Sequence, residues 1–209
     1  MLEQMKGAIF DLDGVIVDTA KYHYLAWRSL AEELGFQFTV EHNERLKGVS
    51  RMRSLDILLE IGRLEFSEAE KLVMADKKNR LYVEYISGLD ESELLPGVMT
   101  YLSGLRMRGV GVALGSASKN AVFILDKLNI AGLFDAVVDG NKVSRAKPDP
   151  EVFQTACREL GLQPQDCVVF EDAEAGVAAG KAAGMQVVGI GKREVLKEAD
   201  LVVSGLHDL

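Results

Sequence analysis

The sequence predicts an α/β fold, a doubly wound and mainly parallel sheet carrying an inserted α-helical cap domain. Three observations lead there. From Val110 onward, short apolar runs alternate with amphipathic stretches of helical length, the pattern of βαβ units and parallel strands. One further apolar run, Gly7-Ala8-Ile9-Phe10, stands alone near the start. Between them, from Ala20 to about Leu89, the periodicity is helical almost throughout and no β-like run interrupts it. A first strand separated from its sheet by a helical block describes a Rossmann-like core of residues 1–17 and 95–209. A cap of residues 18–94 is set into the loop after strand one. The two chain crossings, near Val17 and near Leu94-Leu95-Pro96-Gly97, would act as the hinge.

The elements follow in order. Trp27, Leu30, Ala31 and Leu34 fall at i, i+3, i+4 and i+7, one apolar stripe, with Gly35 as its C-terminal stop. Leu55, Leu58 and Leu59 form a second stripe that ends near Gly62. Ser67-Glu68-Ala69-Glu70 has the form of a capping box and opens a long helix running toward Ile86. Val110–Leu114 reads as a strand and 122–128 as a helix. Ala136–Val138 is a short strand and 152–160 a helix. Cys167–Phe170, Gln186–Ile190 and Leu201–Val203 complete the strands, with a helix over 173–183 between the first two.

Composition bounds the function. The 209 residues are 48% hydrophobic and 27% charged, an ordinary globular balance, and the net charge is −8. An acidic chain argues against nucleic acid or an anionic membrane as principal partner. No run is long enough to span a bilayer, and the start lacks the pattern of a signal peptide. Cys157 and Cys167 both sit among apolar residues and read as buried free thiols, which fits a reducing compartment. The expectation is a soluble cytoplasmic protein, monomeric, acting on a small molecule.

Chemistry should collect where parallel strands end. Asp11 and Asp13 stand two residues apart at the end of the first strand, and strand periodicity puts both on one face. Two such acids repel unless a cation or a shared proton intervenes. After the Val110 strand come Gly115-Ser116-Ala117-Ser118-Lys119-Asn120, whose hydroxyls and backbone N–H groups suit a phosphate. Lys147 follows the short strand at Val137 and would offset charge on a transferring phosphoryl group. Glu171-Asp172 follow the Cys167 strand, and with Asp11 they make an oxygen-rich site suited to Mg2+. Each feature alone has a bland alternative: solvated acids, an ordinary N-cap, a surface lysine, a helix-start acid pair. Their order along the chain is harder to dismiss.

That order of acid pair, hydroxyl loop, lysine and acid pair, each at a strand end, resembles the haloacid dehalogenase-like superfamily over the whole chain. Its members form a covalent intermediate on an aspartate. The second acid, Asp13, points to the phosphotransferase branch. The cap residues Asp18-Thr19, His23, Trp27, Leu46-Lys47-Gly48-Val49-Ser50-Arg51, Ser54 and Lys78 are similar to those of sugar phosphomutases in that branch.

The resemblance implies Asp11 as nucleophile and Asp13 as general acid and base, with Ser116 and Lys147 completing the catalytic set. It implies Mg2+ on Asp11, Glu171, Asp172 and the backbone carbonyl of Asp13. Phosphate contacts are implied from Ser116, Ala117, Lys147, Arg51 and Asn120, within the loop that also holds Ser118 and Lys119. Sugar contacts are implied from Leu46 to Arg51, Ser54 and Lys78. His23 and Trp27, at i and i+4, would face the same site, and Trp27 reads equally as an anchor of the cap's core. The reaction implied converts β-glucose 1-phosphate to glucose 6-phosphate through a phospho-aspartate and β-glucose 1,6-bisphosphate. A Mg2+-dependent sugar-phosphate phosphatase using the same nucleophile is the alternative.

Overall fold

The structure, a computed structural model, describes residues 2–46 and 49–209. Its centre is β1 (Gly7–Phe10), in which no residue reaches the surface. Continuous burial of this kind marks a strand covered on both faces. β1 pairs in parallel with β2 (Gly111–Gly115) on one side and β4 (Cys167–Glu171) on the other. With β3 (Ala136–Val138), β5 (Gln186–Ile190) and β6 (Leu201–Val203) the sheet runs β3-β2-β1-β4-β5-β6, parallel throughout. The order reverses direction at β1, so a crevice opens at its carboxyl end.

Alternation along the strands divides the core into two layers. Ala8, Phe10, Val112, Leu114, Val168 and Phe170 point to one face and pack with α5 (Val98–Met107) and α6 (Ala121–Lys127). Ile9, Ala113, Val169 and Val187 point to the other and pack with α7 (Glu151–Glu159) and α8 (Glu174–Ala182).

Among the described residues four α-helices lie between β1 and α5: α1 (Ala20–Glu33), α2 (Val40–Glu44), α3 (Arg51–Gly62) and α4 (Glu68–Ile86). They gather their own apolar cluster around Trp27, Leu30, Leu55, Leu58 and Phe38. Tyr82 and Ile86, at the end of α4, join the cluster beneath the sheet instead. The two crossings of the chain meet: Val17 pairs antiparallel with Leu94, and the Leu95 N–H donates to the Ile16 carbonyl at 3.0 Å.

Two details differ from expectation. The sequence reading left 98–107 unassigned, yet it is a helix, with buried Val98, Leu102 and Leu105 at i, i+4 and i+7. The five-residue α2 also went unread. It is held by a capping box between Thr39 and His42. The second stripe ends at Gly62, as read. Arg63 takes the left-handed turn at φ 55°, while a Cβ on Gly62 would lie 2.6 Å from the Phe36 ring, so that glycine serves close packing. The capping box at Ser67 and Glu70 is present as read.

Candidate active site

The site begins where β1 ends. Asp11 is buried, and its Oδ1 accepts a hydrogen bond from Lys147 Nζ at 2.6 Å. The same ammonium donates to Glu171 Oε2 at 2.7 Å. Lys147 reaches this position from the segment after β3, and Glu171 is the last residue of β4, so three elements converge on one point. The Lys147 ammonium also lies 4.7 Å from the centre of the Phe153 ring, which walls the pair off from the other layer. Burial alone would lower the Lys147 pKa, but the charges of Asp11 and Glu171 outweigh it and hold the lysine protonated. Glu171 Oε1 accepts from the backbone N–H groups of Asp172 and Ala173, each at 3.1 Å, which fixes the carboxylate plane.

Asp11, Glu171 and Asp172 bring one carboxylate oxygen each to within 4.8 Å of one another. The one ammonium serves Asp11 and Glu171, burial pushes the Glu171 carboxyl up to about 8, and a hard divalent cation suits this set of three carboxylates. Two glycines make the crowding possible. A Cβ on Gly176 would lie 2.0 Å from Glu171 Oε2. One on Gly14, at φ 76°, would lie 2.2 Å from Asp172 Oδ2.

Asp13 is in a different state from Asp11. Burial, reinforced by the nearby charge of Asp11, pushes its carboxyl up to about 8. It is therefore protonated at neutral pH and can act as an acid. The Thr19 hydroxyl donates to its Oδ1. Thr19 is fully buried just ahead of α1, so the contact ties Asp13 to the first of the four intervening helices.

A cavity of about 650 Å3 opens over these acids, between the sheet's carboxyl edge and α1–α4. From the sheet side it is lined by Asp11, Asp13, Lys147, Asp172 and the loop Ser116, Ala117, Ser118, Lys119 and Asn120. That loop is folded by its own hydroxyls. Ser116 Oγ accepts from the Ser118 N–H at 3.1 Å, and Ser118 Oγ from the Asn120 N–H at 3.2 Å. Both hydroxyl protons are thereby left to donate elsewhere. Residues after β3 brace it: the Gly140 N–H donates to the Ser118 carbonyl at 3.1 Å and Asn141 Nδ2 to the Lys119 carbonyl at 3.0 Å.

From the helical side the cavity is lined by His23, Trp27, Leu46, Val49, Ser50, Arg51, Ser54 and Lys78. The expected contacts at Lys47 and Gly48 lie outside the described residues. Trp27 serves both roles expected of it, lining the cavity and anchoring the helical cluster. Lys78 is almost wholly buried. Its Nζ meets His23 Nδ1 at 2.7 Å and sits over the rings of Trp27 and Tyr82 at 4.5 and 4.7 Å. Burial holds both Lys78 and His23 well below their ordinary pKa values, and the neighbouring Arg51 charge adds to the effect on each. Arg51 is half-buried at the start of α3 and faces the charge of Asp76.

The structure thus gathers every predicted site residue that it describes around one cavity, with Glu171 directly beneath it. Sequence reasoning missed Tyr82, Asn79, Asp76 and Asn43. Tyr82 stands four residues after Lys78 and so shares its helix face. Asn79 Oδ1 accepts from Asn120 Nδ2 at 3.0 Å, joining α4 to the start of α6. No sequence signal marks the other two.

A buried aspartate with a lysine on it, a second aspartate two residues on and an acid pair, all at the edge of a doubly wound sheet, define a class, and comparison with known proteins agrees. The chain belongs to the haloacid dehalogenase-like hydrolase family, whose profile matches residues 5–184. It is 46% identical over 207 residues to the β-phosphoglucomutase of Bacillus subtilis, covering 98% of this chain and 92% of that one. The crystal structure of β-phosphoglucomutase from Clostridium difficile superposes with a TM-score of 0.95 at 44% identity, covering 98% of this chain and 93% of the other. The fructose-1-phosphate phosphatase YqaB of Escherichia coli is 34% identical, over 91% of this chain and 98% of its own.

Proposed function

We propose that this enzyme interconverts β-glucose 1-phosphate and glucose 6-phosphate, with Asp11 as the phosphoryl carrier and Asp13 as the proton carrier. One observation carries the reading: two aspartates two residues apart are held differently, one by an ammonium and the other by burial. Asp11 is paired with Lys147 at 2.6 Å, while Asp13 is pushed up to about 8. Phosphoryl transfer needs positioning and charge neutralisation more than a strong nucleophile, and the ammonium of Lys147 supplies part of both. The high identity to a β-phosphoglucomutase supports the choice of substrate.

The cycle starts from phospho-Asp11. In this half Asp13 is ionised: the 6-hydroxyl of β-glucose 1-phosphate attacks phosphorus, Asp13 accepts its proton, and the bond from phosphorus to Asp11 breaks. That leaves unphosphorylated Asp11 beside a protonated Asp13, the state that burial favours in this structure. The product of this half is β-glucose 1,6-bisphosphate. The sugar then turns end for end. Asp11 attacks the 1-phosphate, the bond to the sugar's O1 breaks, and that oxygen takes the proton from Asp13. Glucose 6-phosphate leaves and phospho-Asp11 is restored. Ser116, Ala117 and Lys147 cradle the phosphate in transfer. Arg51, with Asn120, holds the other phosphate, its planar guanidinium fork suiting two phosphate oxygens. Leu46 to Arg51, Ser54 and Lys78 would meet the sugar. Mg2+ would be held by Asp11, Glu171, Asp172 and the Asp13 backbone carbonyl, where it screens negative charge on the phosphoryl oxygens.

Residues 18–94 act in this account as a cap over a core of residues 1–17 and 95–209, hinged where Val17 and Leu94 pair. Closing the cap excludes water, which a mutase must do and a phosphatase must not. The working unit in this proposal is a monomer. The unbridged Cys157 and Cys167 fit a cytoplasmic setting. The 34% identity to a phosphatase keeps hydrolysis as the reading to test against.

The test is a product assay with Mg2+, β-glucose 1-phosphate and a trace of β-glucose 1,6-bisphosphate. Glucose 6-phosphate with little inorganic phosphate is expected, and Asp11→Asn should produce neither. Inorganic phosphate as the main product would make the enzyme a phosphatase.

A further inference from the structure

We propose that Asn43 reads a ring hydroxyl of the sugar and so helps to set which sugar phosphate is accepted. The proposal rests on the sugar-phosphate reading above. Asn43 lies on α2, the five-residue helix that leads into the Leu46–Arg51 segment. Its outer neighbours Glu41 and Glu44 are exposed, and Val40 is 57% exposed, whereas Asn43 is 6% exposed and lines the cavity. Its Oδ1 is buried and has no hydrogen-bond partner among the described residues.

A buried amide oxygen without a partner is costly, and native proteins rarely keep one. Nothing in packing demands it here. Leu46 and Val49, which line the same wall, are apolar, and an aliphatic side chain at 43 would fill the space without a polar group to satisfy. Among the described residues nothing supplies that partner, and the substrate is what enters the cavity that Asn43 lines. A carboxamide has an acceptor at one end and donors at the other, and a half turn of its last torsion exchanges them at almost constant shape. That pairing suits a neutral hydroxyl, which both donates and accepts. It suits phosphate less well, because an amide oxygen repels anionic oxygens and the cavity already offers Arg51, Lys119 and Lys147 for those. A site that hydrogen-bonds a substrate hydroxyl rejects the analogue lacking it, because its own polar group is then stranded.

The experiment compares the wild type with Asn43→Leu and Asn43→Ala on β-glucose 1-phosphate and its 2-, 3- and 4-deoxy analogues, following both glucose 6-phosphate-type product and inorganic phosphate. The wild type should lose about tenfold to a hundredfold in kcat/KM on one of the deoxy analogues. In both variants glucose 1-phosphate should fall by a similar factor, and the penalty for that one analogue should vanish while the other two keep theirs. Asn43→Leu should melt no lower than the wild type, since it removes an unpaired polar atom. If either folded variant discriminates among the four substrates as the wild type does, the proposal is wrong. If the wild type releases inorganic phosphate instead, the mutase reading fails, and the same comparison on phosphate release still decides the role of Asn43.

Discussion

At the scale of the residue, the site works by giving like side chains unlike states. Asp11 is held by the Lys147 ammonium at 2.6 Å, whereas burial and the nearby Asp11 charge push the Asp13 carboxyl up to about 8. The same logic governs His23, buried against Lys78 and held neutral. That has a measurable consequence. The folded state binds the His23 proton more weakly than the unfolded chain, whose histidine titrates near 6.5. The neutral imidazole's contribution to stability is therefore complete above about pH 6.5 and is lost as pH falls below it. The urea midpoint of the wild type should drop more steeply from pH 7 to pH 5 than that of His23→Gln. Equal slopes would mean that His23 charges freely in the folded protein. Most of these residues were legible in the sequence because strand ends are special places: Asp11, Asp13, Lys147, Glu171 and Asp172 each follow an apolar run. Asn43, Asp76 and Tyr82 were not, because a polar residue on a helix looks the same in sequence whether it faces water or a cavity.

At the scale of the element, α4 is the part that carries most of the helical side of the site. Asp76, Lys78, Asn79 and Tyr82 all project from it, so its placement matters more than its own stability. Its start is set by the reciprocal hydrogen bonds of Ser67 and Glu70. Removing the cap with Ser67→Ala should cost about 1 kcal/mol of stability. It should leave kcat unchanged at 25 °C, since Ser67 lies nearly three turns from Lys78. Calorimetry and a steady-state assay check the two halves separately. This helix was readable from its capping box, and β3, β5 and β6 from apolar runs bounded by turn residues. The helix over 98–107 went unread because Leu94-Leu95-Pro96-Gly97 was read as a hinge crossing and not as a helix start. In fact Gly97, at φ 87°, is its N-cap. The five-residue α2 is shorter than the window in which periodicity can be seen at all.

At the scale of the whole molecule, the arrangement is one sheet edge under one helical cover. The cover has its own apolar cluster and is joined to the sheet where Val17 meets Leu94 and where Tyr82 and Ile86 enter the sheet's core. That a helical block separates the first strand from the rest of the sheet was legible because a short apolar run gives way to a 3.6-residue period and such runs return only from Val110. That a cavity of about 650 Å3 separates cover from sheet was not legible, since it depends on how two packed units meet. What the cavity encloses is the claim everything rests on, that a phosphoryl group passes through Asp11. The direct measurement is rapid acid quenching of the enzyme with β-glucose 1,6-bisphosphate labelled at phosphorus, followed by peptide mapping. The label should sit on the peptide containing Asp11, be released by hydroxylamine as an acyl phosphate is, and be absent from Asp11→Asn. Label on another residue, or glucose 6-phosphate formed by Asp11→Asn at an undiminished rate, would contradict the account.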